Sequence, residues 1–356
     1  MSKAPASEAP PESDVFEGAP HPRLARGLVG HGGAEAATLA DYRAGKLAHA
    51  WLIGGAEGVG KATFAWRLAR FVLANPDADA PQVRRAIDLS VDPTSPAARM
   101  LEAGSHPDFR LLRRAFDPKL KRLKTEIAKD DIDEALGLFR KSAGYGGWRV
   151  CLVDCAEDLN RAGANALLKT IEEPPARALI LIVSHRPGQA LATIRSRCRK
   201  LNLARLSPDD IGAVVAGLGP PWSEIDARRR ADAAGAAQGS VREALRRLDP
   251  ASSVARALIE AAVAQLPDAD MRAVHKLADA VGARTAGDAF EALNVALLDW
   301  VAQRARAPGP PSRLEAIAAL WERLRAATRE AEALNLDRKL HVVSVFAEIA
   351  SVERWI

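Results

Sequence analysis

The stretch Ala50-Trp-Leu-Ile-Gly-Gly-Ala-Glu-Gly-Val-Gly-Lys61-Ala-Thr63 decides the fold. Ala50 to Ile53 is a short apolar run that stops at Gly54-Gly55. The segment that begins at Thr63 and runs through Phe64-Ala-Trp-Arg-Leu-Ala-Arg-Phe71 sets Phe64, Leu68 and Phe71 on one face of a helix. Strand, glycine-rich turn and helix are the implied order. Gly55, Gly58 and Gly60 let the turn expose backbone N–H groups at the helix start, where they can meet an anion, and Lys61 adds a full positive charge. The segment reads as a phosphate-binding loop.

Working outward, Thr38 to Ala48 has a helical pattern, and Asn75 to Gly104, rich in Asp, Ala and Pro, is expected to be an insertion or mobile loop. Asp108-Phe-Arg-Leu-Leu alternates like a strand, Ile132 to Ser142 reads as a helix, and Arg149-Val-Cys-Leu-Val-Asp154 is an apolar strand ending in an acid. Asn165 to Glu173 is a helix closed by Pro174-Pro175, and Ala178 to Val183 is a buried strand. Helices alternating with apolar strands predict a parallel sheet covered on both faces. From Ser207 onward the pattern is helical only. A short region begins at Pro208, and amphipathic helices follow over Val254 to Leu266, Met271 to Val281, Ala286 to Arg304, Ser312 to Ala333 and Leu336 to Val352. They are broken at Gly282, at Pro308-Gly-Pro-Pro and near Asn335. The expected organisation is a solvated, disordered tail over 1–22, an α/β nucleotide-binding core over 23–206, a small helical segment over 207–250 and an all-α domain over 251–356.

Of the 356 residues, 48% are hydrophobic and only 5% aromatic, a balance that favours helix-rich architecture. No stretch is apolar and long enough to cross a bilayer, and the Pro-, Ala- and acid-rich N-terminus lacks a signal core, so a cytoplasmic location is expected with no membrane partner. The formal charge of +5, from 50 Lys and Arg against 45 Asp and Glu, permits nucleic-acid contact without requiring it. Cys151, Cys155 and Cys198 lack the two-pair spacing of a zinc site and read as small buried thiols of a reducing compartment.

Hydrolysis asks for more than the loop. The residue after the lysine should carry a hydroxyl for Mg²⁺, and here it is Ala62. Thr63 is one residue further on, a rotation of ~100° around the helix, which turns its hydroxyl away from the metal. Asp154 supplies the acid at a strand end, but the next position is Cys155 instead of a glutamate that could polarise water, and Glu157 lies beyond the strand. ATP or ADP is the ligand the loop would take, with magnesium left open and little or no intrinsic ATPase expected.

Asn165-Ala-Leu-Leu-Lys-Thr-Ile-Glu-Glu-Pro-Pro175 and Ser196-Arg-Cys198, preceded by the phosphate loop and by Val153-Asp-Cys-Ala-Glu-Asp-Leu-Asn160, resemble the paired hallmarks of bacterial DNA polymerase III clamp-loader AAA+ subunits. His106-Pro-Asp-Phe109 and Lys124-Thr-Glu-Ile-Ala-Lys-Asp-Asp-Ile132 are similar to the delta-prime type, and the resemblance covers roughly residues 28 to 250. It implies an AAA+ core, a helical lid over 207–250 and a C-terminal collar that joins subunits. It also implies that Arg197 reaches the nucleotide of an adjacent subunit as an arginine finger, and that Arg242, in Gly239-Ser-Val-Arg-Glu, is the second sensor. Either Ser184 or His185 would fill the first sensor position. The implied partners are gamma/tau-like ATPase subunits, a delta-like subunit, the sliding clamp indirectly, and primer-template DNA. A hydrolysing gamma/tau-like motor subunit, or another AAA+ DNA ATPase, is the competing reading. The four-cysteine zinc module of many such subunits has no counterpart between residues 64 and 150, so no zinc is carried over.

Overall fold

The computed structural model describes residues 12–13, 15–16, 18–119, 122–145, 147–282, 289–333 and 336–353. Two compact units divide the chain, residues 1–244 and 245–356.

In the first unit, helix α1 (Gly32–Arg43) precedes strand β1 (Ala50–Gly54), and the glycine-rich turn leads into α2 (Lys61–Ala74). Two short helices, α3 (Pro81–Arg85) and α4 (Pro96–Glu102), come before β2 (Phe109–Leu112) and a small hairpin of β3 (Phe116–Asp117) and β4 (Arg122–Leu123). Then follow α5 (Lys129–Leu136), β5 (Arg149–Asp154), α6 (Arg161–Glu172), β6 (Ala178–Ser184), α7 (Ala192–Arg197) and β7 (Arg199–Asn202). The main sheet is parallel in the order β2-β5-β6-β1-β7, with β1 paired to β6 on one side and to β7 on the other. This is an α/β core built on a parallel sheet. Side chains alternate across the pleat. Trp51, Ile53, Leu152 and Leu181 therefore pack towards α1 and α2, whereas Leu52, Val153, Ile180 and Ile182 pack towards α5 and α6. Covering on both faces explains why β1, β5 and β6 read as unbroken apolar runs.

No strand is expected in the sequence after Ala178 to Val183, yet β7 follows α7 directly. Its residues, Arg-Lys-Leu-Asn, are mostly exposed because it is an edge strand paired on one side only, and a polar edge strand has no apolar signature. The expected mobile loop over 75–104 is also corrected. Val83, Leu89, Ala98 and Leu101 are buried, Ser95 caps α4 by accepting from the Ala98 amide, and Arg43 Nε donates to the Val83 carbonyl at 2.9 Å. Low apolar density hid a segment in which Val83, Leu89, Ala98 and Leu101 point inward while Ile87 stays exposed.

The expected tail behaves differently over its described part. His21 is buried edge-on against the Trp66 ring, Trp222 Nε1 donates to the Gly18 carbonyl at 2.8 Å, and Arg113 pairs with Glu12 at 2.6 Å. Residues up to 11 lie outside the described residues, as does the helix break expected near Asn335.

Helix α2 is buried nearly all round, and that includes Arg67 and Arg70 at 2% and 3% exposure. Arg67 Nε donates to Glu35 Oε1 of α1 at 2.6 Å, and its remaining nitrogens reach the Arg26 carbonyl and a second Glu35 oxygen. Arg70 donates to the carbonyls of Ala25 and Arg23. The two guanidinium groups thus tether the strand-less segment 23–26 to the helix that follows the phosphate loop.

After β7 come α8 (Pro208–Gly217), opened by a Ser207–Asp210 capping box, then α9 (Ala227–Ala236) and α10 (Val241–Leu248), which crosses the unit boundary. The second unit is all helical: α11 (Pro250–Ala264), α12 (Met271–Gly282), α13 (Ala289–Ala305), α14 (Pro311–Ala333) and α15 (Arg338–Glu353). Its core gathers Leu277, Val281, Leu293, Leu297, Phe346 and Ile349. The apolar excess on α13 divides between buried Leu293 and Leu297 and an exposed Val295.

Breaking a buried ion pair leaves a charge without compensation, so Arg67→Ala should destabilise the first unit by about 3–5 kcal/mol in chemical denaturation. A loss below about 1 kcal/mol, the scale of an exposed pair, would contradict this account of α2.

Candidate functional site

The turn between β1 and α2 places the phosphate loop at the carboxyl end of the sheet. Gly58 (φ +75°) and Gly60 (φ +99°) adopt left-handed backbone. At Gly58 the requirement is also steric, because a Cβ there would lie 2.4 Å from Ser240 Oγ and 2.7 Å from the Arg242 nitrogen. The start of α10 therefore stands directly on the loop, and the Val241 amide donates to the Gly58 carbonyl at 2.9 Å.

Lys61 is 3% exposed and its Nζ donates to the Ala56 carbonyl at 2.6 Å. Burial lowers its pKa to about 8, against the opposing pull of the carboxylates of Asp154, Glu57 and Glu157. Asp154 is buried at the end of β5, in register with Val183 of β6. Ala62 offers no oxygen and packs partly against the core; Thr63 is half-buried one step further round α2.

Cys155 occupies the position where a water-polarising glutamate is needed. Burial pushes its thiol pKa well up, and the neighbouring carboxylates of Asp158 and Glu157 push the same way. Glu157 Oε1 accepts from Ser184 Oγ at 2.6 Å and from the Arg186 amide at 2.7 Å. Burial alone would raise its pKa, but these donors hold the carboxyl below its usual range. Glu157 thereby fastens the end of β6. Of the two candidates for the first sensor position, Ser184 is engaged by Glu157, whereas His185 lies in the field of Lys61, Glu57 and Arg242. Burial and then Lys61 keep its ring below the usual histidine range.

Arg242 Nε pairs with Glu57 Oε1 at 3.1 Å, and its guanidinium lies over the Phe16 ring at 5.7 Å. Phe16 in turn meets Trp222 edge-on. Arg242 and the loop are brought together as the sequence suggests, but Glu57, Phe16 and Ser240 were missed. Glu57 occupies a variable position within the glycine motif, and the other two owe their place to chain segments distant in sequence.

Arg197 stands elsewhere. It ends α7, its Nε pairs with Glu172 Oε1 at 2.6 Å, and its side chain is 42% exposed. The two hallmark segments therefore touch, through the acid that closes α6 and the central arginine of the Ser-Arg-Cys triplet. Arg195 donates to the Gly188 carbonyl at 2.9 Å, and Arg199 pairs with Asp41 at 2.9 Å across the Trp51 ring. Arg199 is level with Trp51 and Asn202 with Gly54, so Arg197 precedes β7 whereas the loop follows β1. From Trp51 to Gly55 the strand advances about 13 Å at ~3.3 Å per residue. Arg197 and its own phosphate loop lie at opposite ends of these two adjacent strands.

Cys151, Cys155 and Cys198 are free and buried, and burial raises the Cys151 thiol to about 12 and that of Cys198 to about 11.

The lowered Lys61 pKa carries a sign. Between about pH 8 and the ordinary lysine value near 10.5, the unfolded chain holds a proton that the folded chain has released, so this group adds stability as pH rises. The buried thiols act in the opposite direction. The difference in unfolding free energy between wild type and Lys61→Met should therefore shift in favour of wild type as pH increases from 7 to 10. A constant difference across that range would refute the buried, proton-releasing lysine.

Residues 36–207 match the family described as "DNA polymerase III, delta subunit". The DNA polymerase III subunit delta' of Pseudomonas aeruginosa is 34% identical over 151 residues, 42% of each chain. The tau subunit of Salmonella typhimurium is 28% identical over 302 residues, 80% of this chain and 44% of that one. Among solved structures, a RuvB variant of Thermotoga maritima aligns at TM-score 0.43 and 14% identity over 93% of this chain and 90% of that one, too loosely to bear on the argument. The chain spans less than half the length of the delta' relatives it matches. Residues 36–207, which carry the glycine loop, Asp154, the α6 motif and the Ser-Arg-Cys triplet in sequence, are thus similar to the delta' subunits of DNA polymerase III.

Proposed function

We propose that the chain works in a clamp loader as the subunit that lends Arg197 to a neighbouring ATPase and cleaves little or no ATP itself. The observation that carries this reading is the position of Arg197, partly exposed at the end of the strands opposite its own loop and paired with the half-exposed carboxylate of Glu172. An exposed ion pair contributes about 0–1 kcal/mol, little enough for a phosphate to replace the carboxylate. In the assembled complex the guanidinium would stabilise charge spreading over the transferring phosphoryl group.

The chain's own loop supports nucleotide contact without turnover. Its amides, Lys61 and Arg242 suit the phosphates of ATP or ADP, which would compete with Glu57 for Arg242. Ala62 supplies no hydroxyl for Mg²⁺, Cys155 is no base, and Glu157 is already committed to Ser184 and Arg186. The match to tau invites a motor reading, and these three positions argue against it. On the favoured reading the partners are gamma/tau-like ATPases and a delta-like subunit, acting with the sliding clamp and primer-template DNA in the cytoplasm. Residues 207–250 would serve as the lid, and the helical residues 251–356 as a collar between subunits.

The purified chain should show negligible ATPase, and DNA-stimulated turnover by it would overturn the proposal. In the reconstituted loader, Arg197→Ala should lower turnover at the adjoining site by about 10³-fold or more, the scale of an arginine supplied in trans. Unchanged turnover would remove the trans role.

A further inference from the structure

A cavity of about 460 Å³ opens at the amino edge of β5, away from the phosphate loop. Arg140, Lys141, Arg149 and Arg177 line it, with Ser142 and Ala176 between them, and no acidic or aromatic residue is among the described residues of its wall. Arg149 holds the two rims together. Its Nη1 donates to the carbonyls of Phe139 at 2.8 Å and Lys141 at 2.6 Å, and its Nη2 to that of Ala176 at 2.7 Å. All three acceptors are neutral, so they orient the guanidinium without cancelling its charge, and its buried Nε–H has no acceptor. Arg177 is exposed with φ at +54°, in the left-handed region where glycine would be less strained. A long basic side chain at such a turn points to a role for the side chain itself.

We infer that this cavity binds the phosphate backbone of a nucleic-acid strand. Four positive groups around one concavity focus potential on a polyanion. The wall has no ring on which a base could stack and no carboxylate to read a base edge, so it would grip phosphates without regard to sequence. The assignment is independent of the role given to Arg197.

The test is fluorescence anisotropy of a labelled oligothymidylate of about twenty nucleotides with the full chain, across a salt series. Arg140→Gln combined with Arg177→Gly removes two charges and relieves the left-handed turn, so the fold should hold and the melting temperature should not fall. Affinity should drop at least tenfold, and the slope of log K against log salt should shrink by about 1.4, two contacts at ~0.7 each for a single strand. Arg228→Gln combined with Arg229→Gln removes the same charge from exposed positions of α9 and should leave affinity within about twofold. Wild type failing to bind, or both double variants losing affinity equally, would overturn the inference. Displacement of the oligonucleotide by inorganic phosphate at constant ionic strength would reassign the cavity to free anions and overturn it as well.

Discussion

Strand β1 is hydrogen-bonded on both sides and buried on both faces, and the geometry of the nucleotide region depends on that double constraint. Pairing with β6 and β7 holds its end, so the turn that leaves Gly54 has a defined position relative to Asp154 and His185 at neighbouring strand ends. Because α2 is buried nearly all round, Lys61 enters the structure with its stem surrounded and only its amine near polar atoms. The same placement that would suit a phosphate desolvates the cation, which is why its proton is loosely held although nearby carboxylates help to retain it.

Parallel pairing also separates the two arginines. Parallel strands all start at one end of the sheet and finish at the other, so groups after β1 and groups before β7 cannot share a site within one chain. Arg242 arrives at the loop from beyond the sheet and is met there by Glu57. Arg197 precedes the edge strand and is met by Glu172. In each case an acid of the same chain balances an arginine that would otherwise seek a phosphate, and partial exposure keeps that balance shallow.

The buried polar groups around α2 and β6 show why few of the expected catalytic parts are available for chemistry. Glu157 lies beyond the strand end in sequence, and its carboxylate closes the end of β6 through Ser184 and the Arg186 amide. Segment 12–22 likewise uses Phe16, Gly18 and His21 to reach Arg242, Trp222 and Trp66, so a stretch with a disordered composition becomes part of the packing around the loop.

Sequence alone was enough for the loop, the four apolar strands, the long helices and the residue types, Ala62 and Cys155, that follow Lys61 and Asp154. These follow from local periodicity, glycine spacing and residue chemistry, which need no partner. Tertiary structure decided the rest. Edge strand β7 takes its conformation from β1 and not from its polar residues, and Val83, Leu89 and Leu101 become a packed segment only because a core lies beneath them. Glu57 meets Arg242, and Glu172 meets Arg197, across 185 and 25 positions of chain. Such pairings arise from how helices and strands are stacked, and no local pattern encodes them.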